Sequence, residues 1–163
     1  MSAQLTAVRA RELLSYDPET GVLTRKVTTG SRSRAGQPVA GLDAYGYLRV
    51  CGDGRSYKAH RVAWLIVTGA WSTGDVDHID GVPSHNSWRN LRDVAHSVNQ
   101  QNQRGARADS KTGFLGVVAA GKRFTAYIRV GGPTKYLGSF DTPEEAHTAY
   151  IAAKRQFHSG CTI

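Results

Sequence analysis

Cysteine is scarce in this 163-residue chain, which has two, Cys51 and Cys161. Because they form no Cys-x-x-Cys pair, the sequence argues against a structural zinc site and a disulfide scaffold. Apolar runs are short: the longest, Val62 to Val67, is far below the roughly 20 residues that a membrane span needs. The N-terminal residues lack a long apolar stretch before a small-residue cleavage site. We therefore expect no membrane partner, no signal peptide and a cytoplasmic location.

Acidic residues are also few. The chain has 13 Asp and Glu against 21 Lys and Arg, which gives a net charge of +8 and a pI near 9.8. A basic chain of this kind favours a polyanionic partner, most simply nucleic acid. Hydrophobic residues make up 40%, enough for a packed core, and the length suits one ordinary domain or two small ones.

The charge is distributed unevenly along the chain. Residues 1–59 have a net charge of +4, residues 60–103 of −1 and residues 104–163 of +5. A nearly neutral middle flanked by two basic segments suggests chemistry in the middle and binding at both ends. Chance unevenness in a short chain is the alternative.

The neutral middle also concentrates the residues that carry chemistry. Its histidines and its candidate oxygen ligands or hydrogen-bonding groups are His60, His78, His85, His96, Asp77, Asp80, Asn86, Asn90, Asn99 and Asn102. Asp77 and the Asn99 side-chain carbonyl could supply two oxygen ligands to a hard divalent cation. His78 could accept a proton from water near neutral pH, and Asn90 could brace its loop. By spacing alone this pattern is only suggestive, and the alternative is a turn with a surface histidine.

The stretch from His60 to Asn102 resembles the HNH nuclease family, which has a ββα-metal fold. The matching elements are HRVAW, DHIDG, NLRDV and VNQQN, in that order. The final position is Asn rather than His, as in the H-N-N variant of phage homing endonucleases. The upstream segments YDPETGVLTRK and YGYLRV resemble the N-terminal region of phage and prophage members.

This resemblance implies a metal-dependent DNA endonuclease of the phage homing type. Asp77 and Asn99 would bind one divalent cation, Mg²⁺ or Mn²⁺, with His96 as a reserve ligand. His78 would be the general base, and Asn90 would brace the loop. One such site would nick double-stranded DNA, and no protein partner is expected. A phage-encoded enzyme would work in the cytoplasm of a bacterial host. The alternatives are a DNA-binding regulator with an inactive core and an HNH nuclease of phage packaging or restriction.

The C-terminal segment resembles a second family. Turn glycines separate three apolar stretches, 114–118, 124–130 and 135–140, which predict strands, and Asp141 or Thr142 caps a following helix. Gly113 through Gly160 is similar to the plant ethylene-response-factor (AP-two) DNA-binding domain, most specifically in LGSFDTPEEA. The resemblance implies a three-stranded sheet backed by one helix that contacts DNA.

The expected fold class is α+β: a ββα-metal core with an N-terminal β-rich extension, plus a three-stranded antiparallel sheet with one helix. The expected segments are the extension 1–59, the core 60–103, a linker 104–112 and the DNA-binding domain 113–163. Elsewhere we expect helices at 4–15 and 60–68 and strands at 22–27, 45–50 and 56–59. The basic residues predicted to contact DNA are Arg89, Arg92, Arg104, Arg107, Lys111, Lys122, Arg123, Arg129 and Lys135.

Overall fold

The computed structural model describes residues 4–31, 33–107 and 109–162. It is an α+β fold with small antiparallel sheets, and the chain divides into two compact units, one up to His96 and one from Ser97 onward. The elements of the first unit are α1 (Ala7–Leu13), β1 (Leu14–Tyr16), β2 (Leu23–Arg25), β3 (Arg49–Gly52), β4 (Arg55–Lys58), α2 (Ala59–Thr68), β5 (Asp75–His78), a 3-10 turn (Trp88–Asn90) and β6 (Leu91–Val94).

The helix α3 (His96–Gln101) begins at the last residue of the first unit. The remaining elements are β7 (Val117–Ala120), β8 (Arg123–Arg129), β9 (Thr134–Phe140) and α4 (Pro143–Phe157). No helix of the described residues is long and apolar enough to cross a membrane.

Three two-stranded antiparallel hairpins make up the sheets of the first unit: β1 with β2, β3 with β4, and β5 with β6. The β3–β4 turn is made by Asp53 and Gly54, both with positive φ (49° and 79°), which is the geometry that suits a two-residue hairpin. The predicted strands at 45–50 and 56–59 therefore form a hairpin here, with shifted bounds.

Helix α2 is the central element of the first unit. It ends as the sequence predicts, because Gly69 adopts the left-handed conformation that closes a helix. One side of α2 buries Val62 and Leu65 in a core made with the N-terminal elements. Another side buries Ala63 against Val76 of β5 and Leu91 of β6. Helix α2 thus fixes the β5–β6 hairpin relative to the N-terminal segment.

The second unit is a sheet of order β7-β8-β9 packed on α4. Thr142 caps α4 in a reciprocal capping box with Glu145, with Pro143 in the first turn. The apolar face of α4 buries Ala146, Tyr150 and Ala153. The three-stranded sheet with one helix is confirmed.

The first strand of this sheet begins later than its sequence indicates, at Val117 rather than Phe114. Gly116 has φ +77°, and a Cβ there would lie 2.1 Å from the Tyr150 ring. This left-handed residue, pressed against the helix, prevents a strand from running through it. Phe114 and Leu115 instead pack on the core from outside the sheet.

Candidate active site

The candidate site is built on the β5–β6 hairpin. In its antiparallel register Asp77 lies opposite Arg92 and His78 lies opposite Leu91. Val76 points into the core beneath α2, and the next two residues, Asp77 and His78, are also buried. The hairpin therefore brings together an aspartate, a histidine and an arginine from two segments that are 15 residues apart.

Asp77 forms a cross-strand ion pair. The Arg92 guanidinium donates from Nε and a terminal nitrogen to Asp77 Oδ2, at 3.0 and 2.8 Å. The aspartate side chain is 9% exposed and the arginine side chain 24%. Arg92 is predicted to contact DNA, and the structure places its guanidinium on the Asp77 carboxylate. This pairing compensates a charge that would otherwise be buried alone.

His78 lies in a buried cluster of rings. Its Nε2 is 2.8 Å from Asn86 Oδ1, and its ring lies edge-on to the His60 ring, with centroids 4.8 Å apart. The Tyr47 ring lies 6.0 Å from His78 and 5.2 Å from His60. Burial lowers the pKa of His78 below its usual 6.5, against the opposing effect of the Asn86 hydrogen bond. At neutral pH the ring is therefore uncharged and able to accept a proton.

His60 is still more buried. Burial, followed by the neighbouring His78, Lys58 and Arg61, lowers the pKa of His60 to about 3. Its Nδ1 has no hydrogen-bond partner among the described residues. His60 is therefore a neutral packing partner of the His78 ring.

Asn90 braces the loop that follows His78. Its amide nitrogen donates to the His85 carbonyl at 2.7 Å and to Asp80 Oδ1 at 2.9 Å, while its Oδ1 accepts from the Asp80 amide at 3.0 Å. The Ile79 amide also donates to the Asn90 carbonyl. The structure places Asn90 where the bracing prediction needs it, and its contribution to catalysis stays a prediction.

A second polar group lies on the same loop. His85 Nδ1 is 2.5 Å from Asp80 Oδ2, and His85 Nε2 is 3.0 Å from Ser87 Oγ. Although burial opposes it, hydrogen bonds from the Val82 amide and from His85 hold the pKa of Asp80 below its usual value. The His85 side chain is half exposed, so this group lies at the surface beside the buried His78.

The N-terminal turn packs directly on this loop. Tyr16 Oη donates to the Asn86 carbonyl at 2.7 Å, and the Trp88 amide donates to the Pro18 carbonyl at 2.8 Å. Gly21 lies so close that a Cβ would be 2.3 Å from backbone atoms of Asn86 and Ser87. Sequence reasoning missed these contacts. Their one signal is the turn motif in YDPETG, which does not reveal what the turn contacts.

The predicted metal ligands lie in different units. Asp77 belongs to the first unit, whereas Asn99 is half-buried on α3 in the unit that begins at Ser97. His96, the reserve ligand, lies 2.7 Å through Nδ1 from Asp75 Oδ2. No cluster of three or more His, Cys, Asp or Glu that could hold a metal occurs among the described residues.

Taken one by one, the two residues have donor atoms that suit a hard divalent cation. Asp77 offers a carboxylate and Asn99 an amide oxygen, and Mg²⁺ sites commonly use one or two carboxylates, with waters and substrate phosphate completing the shell.

The other residues predicted to contact DNA are spread over both units. Arg89 is 86% exposed and 3.9 Å from Glu19. Arg104 donates to Thr162, and Arg107 is exposed beside Asp109. Lys111 and Lys122 are exposed. Lys135 Nζ lies 4.4 Å from the centroid of the Phe157 ring of α4, on the helix side of the sheet.

The face of the sheet opposite α4 carries two of the predicted arginines. Arg123 donates to the Ser139 carbonyl and Arg129 to the Gly132 carbonyl, and both are exposed. Between them lie Tyr127 and Tyr136, opposite each other on β8 and β9, with ring centroids 5.7 Å apart. We call this set of four residues the open sheet face.

Residues 57–101 match the family model for HNH endonuclease. This match indicates a nuclease that acts on phosphodiester bonds. It includes Asp77, His78, Asn90 and Asn99. HNH nucleases generally use a divalent metal ion, and the family implies DNA as the substrate. A search of curated proteins found no match, and neither did a search of solved structures. The match stops at residue 101, so the homing type and the resemblance of residues 113–160 to the plant domain stay predictions.

Proposed function

We propose that the chain is a metal-dependent DNA endonuclease of the phage homing type that nicks one strand of a duplex. The observation that supports this most is the buried, uncharged His78 beside Asp77, inside the segment that matches the HNH family. An imidazole that is neutral at pH 7 is ready to accept a proton, which is what a general base requires.

The chain's own residues divide the reaction between them. His78 takes a proton from a water molecule, and that water attacks the phosphorus of a backbone phosphodiester. Asn90 keeps the loop after His78 in place through Asp80 and His85. Breaking the bond to the 3′ oxygen leaves a 5′-phosphate and, once the oxygen is protonated, a 3′-hydroxyl.

Asp77 and Asn99 would hold a divalent cation through their oxygen atoms. When bound, such a cation stabilises the negative charge that develops on the phosphate and on the leaving oxygen. Arg92 already shares the Asp77 carboxylate, so we expect cation binding to compete with, or to rearrange, this ion pair.

Most of the affinity for the duplex would come from the second unit, which carries nine Lys and Arg against four Asp and Glu. On the open sheet face, Arg123 and Arg129 are exposed for phosphate contacts. Arg89, Arg104, Arg107, Lys111, Lys122 and Lys135 are the further proposed contacts, and Arg92 would reach DNA only when it leaves Asp77.

The test is cleavage of a supercoiled plasmid with Mg²⁺ or Mn²⁺, with and without EDTA. We expect conversion to the nicked circle that EDTA abolishes, and we expect His78→Ala to lower the rate by a factor of about 10² to 10⁴. DNA affinity, measured by fluorescence anisotropy, should stay within twofold. The matched control is His85→Ala on the same loop, which should lose less than tenfold.

Two results would contradict the proposal. A His78→Ala variant that nicks at the wild-type rate would remove His78 as the base. A wild-type protein that binds DNA and never cuts it, with either metal, would favour the DNA-binding regulator instead.

A further inference from the structure

An open cavity of about 360 Å³ lies in the first unit, beside the junction of β4 and α2. It is lined by Gln4, Ser56, Tyr57, Lys58, Arg61 and Trp71, and we call these six residues the basic cavity. Two of them are cations, two are aromatic and none is acidic. Sites for small organic ligands usually have volumes of about 300 to 1,000 Å³. The proposed reaction uses none of these six residues.

The two cations of the basic cavity are not neutralised by a carboxylate. Neither Lys58 nor Arg61 forms an ion pair with the acidic side chains that the structure describes. Lys58 Nζ lies instead 3.6 Å from the centroid of the Tyr47 ring. The two cations are three positions apart at the start of α2, a spacing at which like charges on a helix repel each other. An anion bound between them would offset this repulsion.

The pKa of Lys58 shows the same excess of positive charge. Burial lowers this pKa most, and the neighbouring Arg49 and Arg61 lower it further, whereas Asp43 and Asp75 raise it. The balance remains on the side that disfavours the ammonium charge, despite the two carboxylates. A further negative charge beside Lys58 would therefore stabilise it.

The aromatic part of the basic cavity is held in place by hydrogen bonds. The rings of Tyr57 and Trp71 are stacked, with centroids 5.6 Å apart. Trp71 Nε1 donates to the Leu5 carbonyl at 2.9 Å, and the Leu5 amide donates to Tyr57 Oη at 3.2 Å. Ser56 Oγ accepts from Arg49 Nε at 3.1 Å, which leaves its hydroxyl hydrogen to donate to a ligand. Since Trp71 is only half-buried, part of its ring is open to a ligand.

We propose that the basic cavity binds one nucleotide of the DNA substrate, with the backbone phosphate between Lys58 and Arg61 and the sugar or base against Trp71. Ammonium and guanidinium groups bind phosphate oxygens, and aromatic rings stack on bases. Such phosphate contacts fix how a duplex lies on a protein. The choice of DNA rests on the proposed function. The same chemistry suits a free nucleotide, and the second experiment distinguishes the two sources.

Tyr47 connects the basic cavity with the candidate active site. Its ring contacts Lys58 Nζ, and its centroid lies 5.2 Å from that of His60 and 6.0 Å from that of His78. These side chains form one continuous set of contacts within the first unit. The bound nucleotide would therefore flank the one that is cut, and the basic cavity would position the strand.

The first experiment measures the affinity of the full-length protein for a labelled DNA duplex by fluorescence anisotropy at several salt concentrations, in EDTA so that no strand is cut. We expect Lys58→Gln/Arg61→Gln to flatten the slope of log affinity against log salt by about 0.9, the value for one phosphate contact, and to lower the affinity about eightfold near roughly 0.1 M salt. Lys58→Arg/Arg61→Lys keeps both charges and should retain the wild-type slope. Arg34→Gln/Arg55→Gln is the control, since it removes the same charge from exposed positions of the first unit.

Two results of this experiment would overturn the proposal. One is a folded Lys58→Gln/Arg61→Gln variant with the wild-type affinity and slope. The other is an equal loss in this variant and in the control, because the net charge of the chain would then explain both. If the double variant did not fold, as judged by circular dichroism, Lys58→Gln and Arg61→Gln would be measured singly against Arg34→Gln, with the same two criteria.

The second experiment follows tryptophan fluorescence while the duplex or 2′-deoxyadenosine 5′-monophosphate is added, again in EDTA. We expect the duplex to quench the wild type, and Trp71→Phe and Lys58→Gln/Arg61→Gln to lose part of that quenching. Equal quenching in wild type and Trp71→Phe would overturn the contact with Trp71. A mononucleotide that quenches Trp71 at concentrations as low as the duplex requires would overturn DNA as the ligand and assign the cavity to a free nucleotide.

Neither measurement depends on cleavage. A wild type that binds the duplex through the basic cavity and never nicks DNA would contradict the proposed function and leave this inference standing. A wild type that nicks DNA at the same rate and affinity as Lys58→Gln/Arg61→Gln would contradict this inference and leave the proposed function standing.

Discussion

His78 and His60 show how burial, as the largest cause, lowers the pKa of side chains that titrate near neutral pH in water. Both rings lie in contact, almost inaccessible, and a proton on either would have to be desolvated next to the other. The two histidines therefore remain uncharged at pH 7. The same desolvation that keeps His78 uncharged means that protonation of His60 at low pH destabilises the folded chain.

We predict that protonation of His60 measurably lowers the free energy of unfolding in acid. His60 has a pKa of about 3 in the folded chain and an ordinary value of 6.5 when unfolded, so the unfolded state binds more protons in between. The stability that depends on neutral His60 is complete above pH 6.5 and is lost as pH falls from 6.5 towards 3. From pH 7 to pH 5 the loss is about 2 kcal/mol.

Urea unfolding of wild type and His60→Phe at pH 7 and pH 5 checks this prediction. Phenylalanine keeps a ring against His78 and removes the titrating group. The fall in unfolding free energy between the two pH values should be smaller in the variant by about 2 kcal/mol. An identical fall in both proteins would show that His60 does not titrate as its burial implies.

The second residue-scale prediction concerns the cation. Asp77→Asn removes the carboxylate charge and keeps the shape of the side chain, so the Mg²⁺ concentration at half-maximal nicking should rise several-fold. Asn99→Ala should shift it in the same direction. Asp93→Asn is the control, because this carboxylate accepts hydrogen bonds from the Ser72 hydroxyl and the Gly74 amide, which precede β5. Unchanged midpoints in both variants would remove Asp77 and Asn99 as ligands.

At the scale of elements, the N-terminal turn packs against the loop that carries Asn86 and supports it. We predict that Gly21→Ala destabilises the chain by more than 2 kcal/mol, since its Cβ would overlap the Asn86–Ser87 peptide and its φ is +76°. Gly36→Ala is a close control, because φ there is +80° and nothing lies within 4 Å of the added Cβ. The control should lose only the conformational part, about 1 kcal/mol. Equal losses in thermal or urea unfolding would mean that the turn does not press on the loop.

The elements differ in how far the sequence reveals them. Helices α2 and α4 follow from apolar spacing and from local signals at their ends, Gly69 and the Thr142 capping box. The start of β7 does not, because it depends on Gly116, which packs against Tyr150, 34 residues away in the chain. Local patterns predict local structure, and contacts between distant segments decide the rest.

The features of the candidate site also differ in how far the sequence reveals them. The family motif predicts Asp77, His78 and Asn90 as site residues without any structure. The pairing of Asp77 with Arg92 depends on the strand register, and the contact of Asn86 with His78 depends on how the intervening loop folds back. Neither has a signature in the sequence, since both join residues whose spacing carries no fixed geometry.

At the scale of the whole molecule, the two units have different charges. The unit up to His96 has a net charge of +3, and the unit from Ser97 has +5 with fewer residues. On the open sheet face the arginines flank a pair of exposed tyrosines, and Arg123 also lies 3.4 Å from the Asp141 carboxylate. This distribution favours the second unit as the part that would hold the DNA backbone, whereas Asp77, His78 and Asn90 lie in the first unit.

The last prediction tests, through the salt dependence of DNA binding, whether the second unit holds the DNA backbone. Each phosphate contact that releases counterions lowers the logarithm of the affinity by about 0.9 per unit of log salt. The double variant Arg123→Gln/Arg129→Gln should therefore flatten this slope by up to about 1.8 in the full-length protein. Arg34→Gln/Arg55→Gln is the control, which removes the same charge from exposed positions of the first unit and should leave the slope nearly unchanged. If both double variants flattened the slope equally, DNA affinity would depend on the net charge of the chain and not on the position of the charges. If only the control flattened it, the first unit would hold the backbone and the open sheet face would not.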